Sequence, residues 1–207
     1  MKKKGLIVIA VLLVLFIGLA IAVKSGNSTT KMSDKNLTVV TAPEQKEAQE
    51  NEQFTVPEYK SAEVKGENVA LKGKASANGY TDVYTPVYAN DGDRNTTSYW
   101  EGEGKGNDEL TIDLKKAYNV HTVRLAVNPA TIWGARKQTL SISVSEDGKD
   151  FKEVVASAEY DFDPKTGNEI TLPFDEVKAQ YVRVTITKNT GAVGGQVAEF
   201  EIYSNDK

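Results

Sequence analysis

"ELTIDL", residues 109–114, sets Leu110, Ile112 and Leu114 on one side of an extended chain and Thr111 and Asp113 on the other. An apolar face alternating with a wet one is the pattern of an antiparallel strand that covers a core. The pattern recurs on both sides of it. "VHTVRLAV" (120–127) contributes Val123, Leu125 and Val127, and "TLSISVSEDG" (139–148) contributes Leu140, Ile142 and Val144 before an Asp-Gly turn. "YVRVTITK" (181–188) places Val182, Val184 and Ile186 opposite Arg183 and Thr185, and "EFEIY" (199–203) follows. Turn signals separate these runs at Asp91-Gly92, Asp147-Gly148 and Pro164 to Gly167. No amphipathic helix of useful length interrupts them. Short strands with regular turn punctuation predict an all-β sandwich or barrel. Residues 67–207, roughly 140 in all, form a domain large enough to bury a core.

Upstream of this domain the pattern dissolves. Residues 25–66 are rich in charged and small polar residues with scattered apolar ones, which predicts a disordered linker spanning about 35 Å on average. Only "PEQKEAQENEQ" (43–53) offers a transient helix, and no internal repeat is evident. Residues 1–24 read differently again. Lys2, Lys3 and Lys4 precede an uncharged apolar run from Gly5 to Val23, long enough as a helix to cover roughly 28 Å of a bilayer. An N-terminal transmembrane helix is the expectation, with a signal segment cleaved at Ala20-Ile21-Ala22 as the alternative. Both place the domain outside the cell, as a single-pass cell-membrane protein or a secreted one, since the lysines stay on the cytoplasmic side.

Composition excludes several function classes. The chain has no cysteine, so disulfides, thiolate metal sites, a cysteine nucleophile and a lipid-modified anchor are all absent. The only histidine is His121, at the start of a strand on the parity of Val123, which suits a structural role and leaves little for a Ser-His-Asp triad. A net charge of −4 argues against nucleic acid as a partner. No convincing nucleophile and base stand together, so an enzyme is not expected.

The most unusual loop is "YANDGDRNTTSYWEG", residues 88–102. Asp91, Asp93 and Asn95 begin with calcium-loop spacing, but an EF-hand needs glycine at the sixth position and glutamate at the twelfth. Thr96 and Gly102 stand there instead. The loop offers hard oxygen donors yet lacks one strong carboxylate, and the readings of cation site, Asx-rich turn and carboxylate pair stay open.

These segments, taken in order with "NVALKGKASA" (68–77), "LSISVSEDGKDFKEV" (140–154), "AQYVRVTIT" (179–187) and "QVAEFEIY" (196–203), resemble discoidin-type domains. That family includes the coagulation factor 5/8 type C domains and the family 32 carbohydrate-binding modules. The resemblance covers residues 67–203 and is nearest to the bacterial modules, above all in "YWEG" (99–102) and "PATIWGARKQTL" (129–140). It implies a discoidin-like jelly-roll β-sandwich of eight strands with its terminal strands side by side. It further implies a structural Ca2+ beside the D-G-D loop, held by Asp91, Asp93 and Thr96, the carbonyls of Ala89 and Ala198, and Glu199 from the last strand. The disulfide usual in eukaryotic members is missing, which favours the glycan-binding branch over a phospholipid-binding one.

Sugar recognition calls for a flat apolar surface and planar polar groups. "NPATIWGARKQ" (128–138), a loop between two strands, offers Trp133 and Arg136 with Asn128 and Gln138 at its margins. The alternative is an indole folded inward to cap the sandwich. Tyr80 and Tyr84 in "NGYTDVYTP" (78–86) and the glycines of "NTGAVGGQ" (189–196) are further candidates, whereas Trp100 reads as core. The expected function is a non-catalytic polysaccharide- or cell-wall-glycan-binding module displayed outside the cell. An adhesion or assembly module for a surface protein or lipid headgroup is the alternative.

Overall fold

The computed structural model describes residues 52–94 and 98–206. Among them are nine strands, five short 3-10 turns and no α-helix. The strands are β1 (Glu67–Asn68), β2 (Lys74–Ala77), β3 (Trp100–Glu101), β4 (Asp108–Ala126), β5 (Arg136–Ser145), β6 (Lys152–Phe162), β7 (Glu169–Asn189), β8 (Gln196–Val197) and β9 (Glu199–Ser204). All pairings are antiparallel.

The alternation of residues 109–114 finds partners on both sides. Leu110 and Ile112 of β4 lie opposite Val184 and Val182 of β7 and, on the other edge, opposite Ala77 and Ala75 of β2. "ELTIDL" and "VHTVRLAV" are a single long strand rather than two, since neither glycine nor proline separates them. The register with β7 shifts between Asp113 and Tyr118, where Lys115 takes φ +70 and its N–H donates to Asp113 Oδ1 at 2.8 Å. Beyond that bend β4 exchanges β2 for β9, and Leu125 faces Phe200. The two long strands β4 and β7 therefore serve both layers of the sandwich. One layer is β2, the first half of β4, the second half of β7, β5 and β6; the other is β1, β9 and the remaining halves. Terminal strands β1 and β9 pair as the family resemblance implied.

Leu110, Ile112, Leu140, Ile142 and Val184 from one layer meet Val123, Leu125, Phe200 and Ile202 from the other in one cluster. Burying each of the larger of these side chains contributes about 2 kcal/mol. Trp100 joins them with no exposure, and its indole N–H donates to the Gly79 carbonyl at 3.0 Å. His121 lies at the second register shift of β4, with Nδ1 2.8 Å from Thr122 Oγ1.

The linker expectation needs correction over its last part. Residues 52–66 lie against the domain, fixed by hydrogen bonds from Thr131, Arg94 and Arg124. Polar composition suggested a free coil, but the partners of these polar groups lie far away in sequence. The rest of the linker and the expected transmembrane or signal segment fall outside the described residues. Within those, no helix is long and apolar enough to cross a membrane.

Candidate functional site

The acidic loop is shaped by a 3-10 turn at Pro86–Asn90, whose Ala89 and Asn90 are buried. Asn90 fastens it, donating to the carbonyls of Ala70 (2.7 Å) and Gly73 (3.3 Å). Asp91 then accepts from the Asp93 N–H at 2.8 Å and from the Ser98 hydroxyl at 2.5 Å. Gly92, at φ +82, turns its N–H to Glu199 Oε2 at 3.0 Å. The last strand thus brings a carboxylate to the loop from 107 residues away.

Glu199 is 3% exposed, and its Oε1 has no partner among the described residues. Burial pushes its carboxyl up to about 8, the charges of Asp91 and Glu201 push the same way, and the Gly92 bond and Arg94 oppose them. A buried carboxylate with an orphaned oxygen beside a second carboxylate is short of positive charge. Asp91 and Glu199 are hard oxygen donors that fit a divalent cation there. Asp93 is exposed and joined to Asp91 through its N–H; Ala198 is buried at the head of β9; Thr96 lies outside the described residues. No three acidic or histidine side chains converge among the described residues, so carbonyl and hydroxyl oxygens have to complete any shell.

The second arrangement surrounds the turn Thr131–Trp133 between β4 and β5. Trp133 is half-buried, resting on the core with one part and meeting Tyr99 edge-on with ring centroids 4.7 Å apart. Tyr84 stacks on Tyr99 at 4.2 Å. The Arg136 guanidinium lies 4.7 Å from the Trp133 ring centroid, a cation–π contact. It donates to Gln196 Oε1, while its Nε is buried without a partner among the described residues. Burial draws the Arg136 pKa below its ordinary value against the pull of Glu101 and Tyr99. Gln196 in turn donates to Glu101 Oε2 at 2.8 Å. A Cβ on Gly191 would stand 2.9 Å from Arg136 Cζ, so a glycine lets the loop come this near. Phe54, Tyr99, Ile132, Trp133, Arg136 and Gln196 line a concavity of about 350 Å³.

Of the expected ligand residues, Trp133 and Arg136 line this concavity, and Tyr84 supports it through Tyr99. Tyr80 is half exposed but not on its walls. Asn128 and Gln138 are corrected. Asn128 is 2% exposed, its amide donating to the Arg94 carbonyl (2.6 Å) and accepting from the Ala130 N–H (2.8 Å). Gln138 is 1% exposed and uses both ends on the Gln196 backbone, at 3.0 and 2.9 Å. Both amides shape the loops from inside and are too deeply buried to meet a ligand. Tyr99, Gln196 and Phe54 were missed. Tyr99 was legible as the opposite face of Trp100, and Gln196 closes the glycine-rich loop. Phe54 carried no signal within a polar linker.

The sequence profile of the F5/8 type C domain matches residues 72–200. Among curated proteins none matches the chain. Among solved structures, CpGH89CBM32-5 from Clostridium perfringens, in complex with GalNAc-β-1,3-galactose, is similar at 21% identity. It has a TM-score of 0.56, covering 67% of this chain and all of that one. The CBM32 of AlyQ, in complex with 4,5-unsaturated mannuronic acid, has 24% identity and a TM-score of 0.54 over 68% of this chain and 98% of its own. Chitosan-binding module 1 from the chitosanase/glucanase of Paenibacillus sp. IK-5 has 23% identity and a TM-score of 0.52, over 67% and 99%. At these identities the three structures show a shared fold. Together with a profile match over more than half of the sequence, the paired terminal strands and the loop closed by the last strand, this means the chain belongs to the F5/8 type C domain family.

Proposed function

We propose that the chain is a non-catalytic carbohydrate-binding module displayed outside the cell, which holds a polysaccharide or cell-wall glycan at the Trp133–Arg136 concavity. The supporting observation is the juxtaposition at its floor: an indole only half-buried, a guanidinium stacked on it, and the Gln196 amide bonded to that guanidinium, with the Gln196 backbone held from behind by Gln138. An aromatic face takes the C–H side of a pyranose, and a planar cation and an amide take its hydroxyls or a carboxylate. Glycans bound to neighbours of the same fold lend further support.

In this reading Asp91, Asp93, Thr96 and Glu199, with the carbonyls of Ala89 and Ala198, hold a calcium ion. The ion supplies positive charge to a buried carboxylate. The chain's own part is to carry Glu199 on β9 to the Asp91 turn and to hold its Oε1 out of water there. The apolar run at residues 5–23 serves as the membrane anchor, which places the domain at the cell surface.

A glycan array probed with the chain tests the binding reading. Signal on a subset of glycans, lost in Trp133→Ala with an unchanged melting curve, is the expected result. Absence of any glycan signal would sink it and favour a protein or lipid-headgroup ligand.

A further inference from the structure

The segment ahead of β1 is fastened to the domain along its length. At its start, the Thr131 hydroxyl donates to the Glu52 carbonyl at 2.7 Å, and the Thr131 N–H donates to the Thr55 carbonyl at 2.9 Å. Farther on, the Tyr59 ring lies over Gly167, where an added Cβ would come within 2.4 Å of Tyr59 Cδ2. The Tyr59 hydroxyl accepts from Arg94 Nη1 at 3.2 Å. Ser61 donates to Glu169 Oε2 at 3.1 Å, and Arg124 donates to the Ala62 carbonyl. Arg94 and Arg124 share the Glu169 carboxylate, at 3.0 and 3.7 Å, and the Glu169 side chain is 6% exposed. Charge-assisted bonds of this kind, withdrawn from water, fix the geometry of what they hold.

This fastening sets Phe54, 54% exposed, on the wall of the concavity beside Ile132 and Trp133. The same turn borders a second concavity of about 640 Å³, lined by Glu52, Thr55, Thr131 and Ile132. Ile132, 48% exposed, is common to both. An aromatic and an aliphatic side chain held open between two hollows present apolar area to anything that spans them.

We infer that residues 52–62 are a strap belonging to the binding domain and that Phe54 contacts the ligand, so that the site takes at least two linked sugar rings rather than one terminal ring. The inference rests on the glycan-binding reading above. One ring lies against Trp133 and Arg136, and the next crosses Phe54 and Ile132 toward Glu52. Tyr59 touches no ligand and is a positioning residue, acting by seating the strap on Gly167 and Arg94.

The test uses the full chain by titration calorimetry against galactose, GalNAc-β-1,3-galactose, and oligosaccharides of chitosan, pectin and alginate. Phe54→Ala is expected to weaken oligosaccharide binding about tenfold, and to weaken it more than binding of the terminal monosaccharide. Phe54→Tyr should restore it. Tyr59→Ala should reproduce the loss and speed hydrogen exchange at the Thr131 amide, a readout independent of any ligand. If Trp133→Ala abolishes binding while Phe54→Ala leaves it unchanged or tighter, the strap inference fails and the glycan reading stands. Unchanged exchange at Thr131 in Tyr59→Ala also overturns it. If no probe binds, or Trp133→Ala binds as well as the parent, both fail together.

Discussion

Gln138 illustrates what a residue's type conceals. In the sequence it flanks a loop and looks available to a sugar, whereas it is buried with both ends of its amide on the Gln196 backbone. Nothing in a lone glutamine says whether its partner is a ligand or a main chain 58 residues away. Gln138→Leu keeps the volume and strips both bonds, leaving a buried N–H and carbonyl unpaired. A loss of about 3 kcal/mol in urea unfolding is expected, with weakened glycan binding as Gln196 shifts from Arg136. Glu199 yields a pH prediction. Its carboxyl is pushed up to about 8 from an ordinary 4.5, first by burial. The fold therefore favours its protonated form, which contributes stability below the ordinary value that is lost as pH rises through about 8. In EDTA, the melting temperature should fall between about pH 5 and pH 8.5, with a stability change on the order of a few kcal/mol. Glu199→Gln should flatten that slope; an equal slope in both proteins would contradict the assignment.

Strand identity was legible because period-two alternation needs only a residue's immediate neighbours. Residues 109–114, 139–145 and 181–188 all appear as strands with their apolar faces inward, and Trp100 enters the core as expected. Strand continuity was less legible. Joining "ELTIDL" to "VHTVRLAV" depends on Lys115 accepting a left-handed conformation, stabilised by Asp113. β6 was hidden for another reason: it is an edge strand with both faces largely wet, so its alternation is weak. The elements consequently differ in their tolerance of truncation. Ile112→Ala, inside β4 between β2 and β7, should cost about 3 kcal/mol by denaturant unfolding because strands paired on both sides keep its surroundings from collapsing onto the gap. Val154→Ala on β6, partly exposed at the edge, should cost less than about 1 kcal/mol. Similar costs at the two positions would mean that the core is not centred between the layers.

At the scale of the molecule, the sandwich was readable and its margins were not. The strap looked like linker because its anchors, Arg94, Arg124, Glu169 and Gly167, lie 35 or more residues from the positions they hold. The acidic loop was partly readable: its oxygen donors were evident, but Glu199 reached it only through the resemblance, and the geometry then put that carboxylate on Gly92. A cation bridging that contact would bind the folded chain and not the unfolded one, since the donors come from opposite ends of the domain. At a hundredfold excess over its dissociation constant, calcium would add about 2.7 kcal/mol, or a melting-temperature rise on the order of 5–10 °C. EDTA should remove that rise, and Asp91→Ala should make the protein insensitive to both additions. Because the metal must displace the proton that burial favours on Glu199, the rise should be larger near pH 8 than near pH 5. Melting curves indifferent to calcium and EDTA at both pH values, in the parent and in Asp91→Ala alike, would leave the loop as a hydrogen-bonded turn and Glu199 as a protonated core carboxyl.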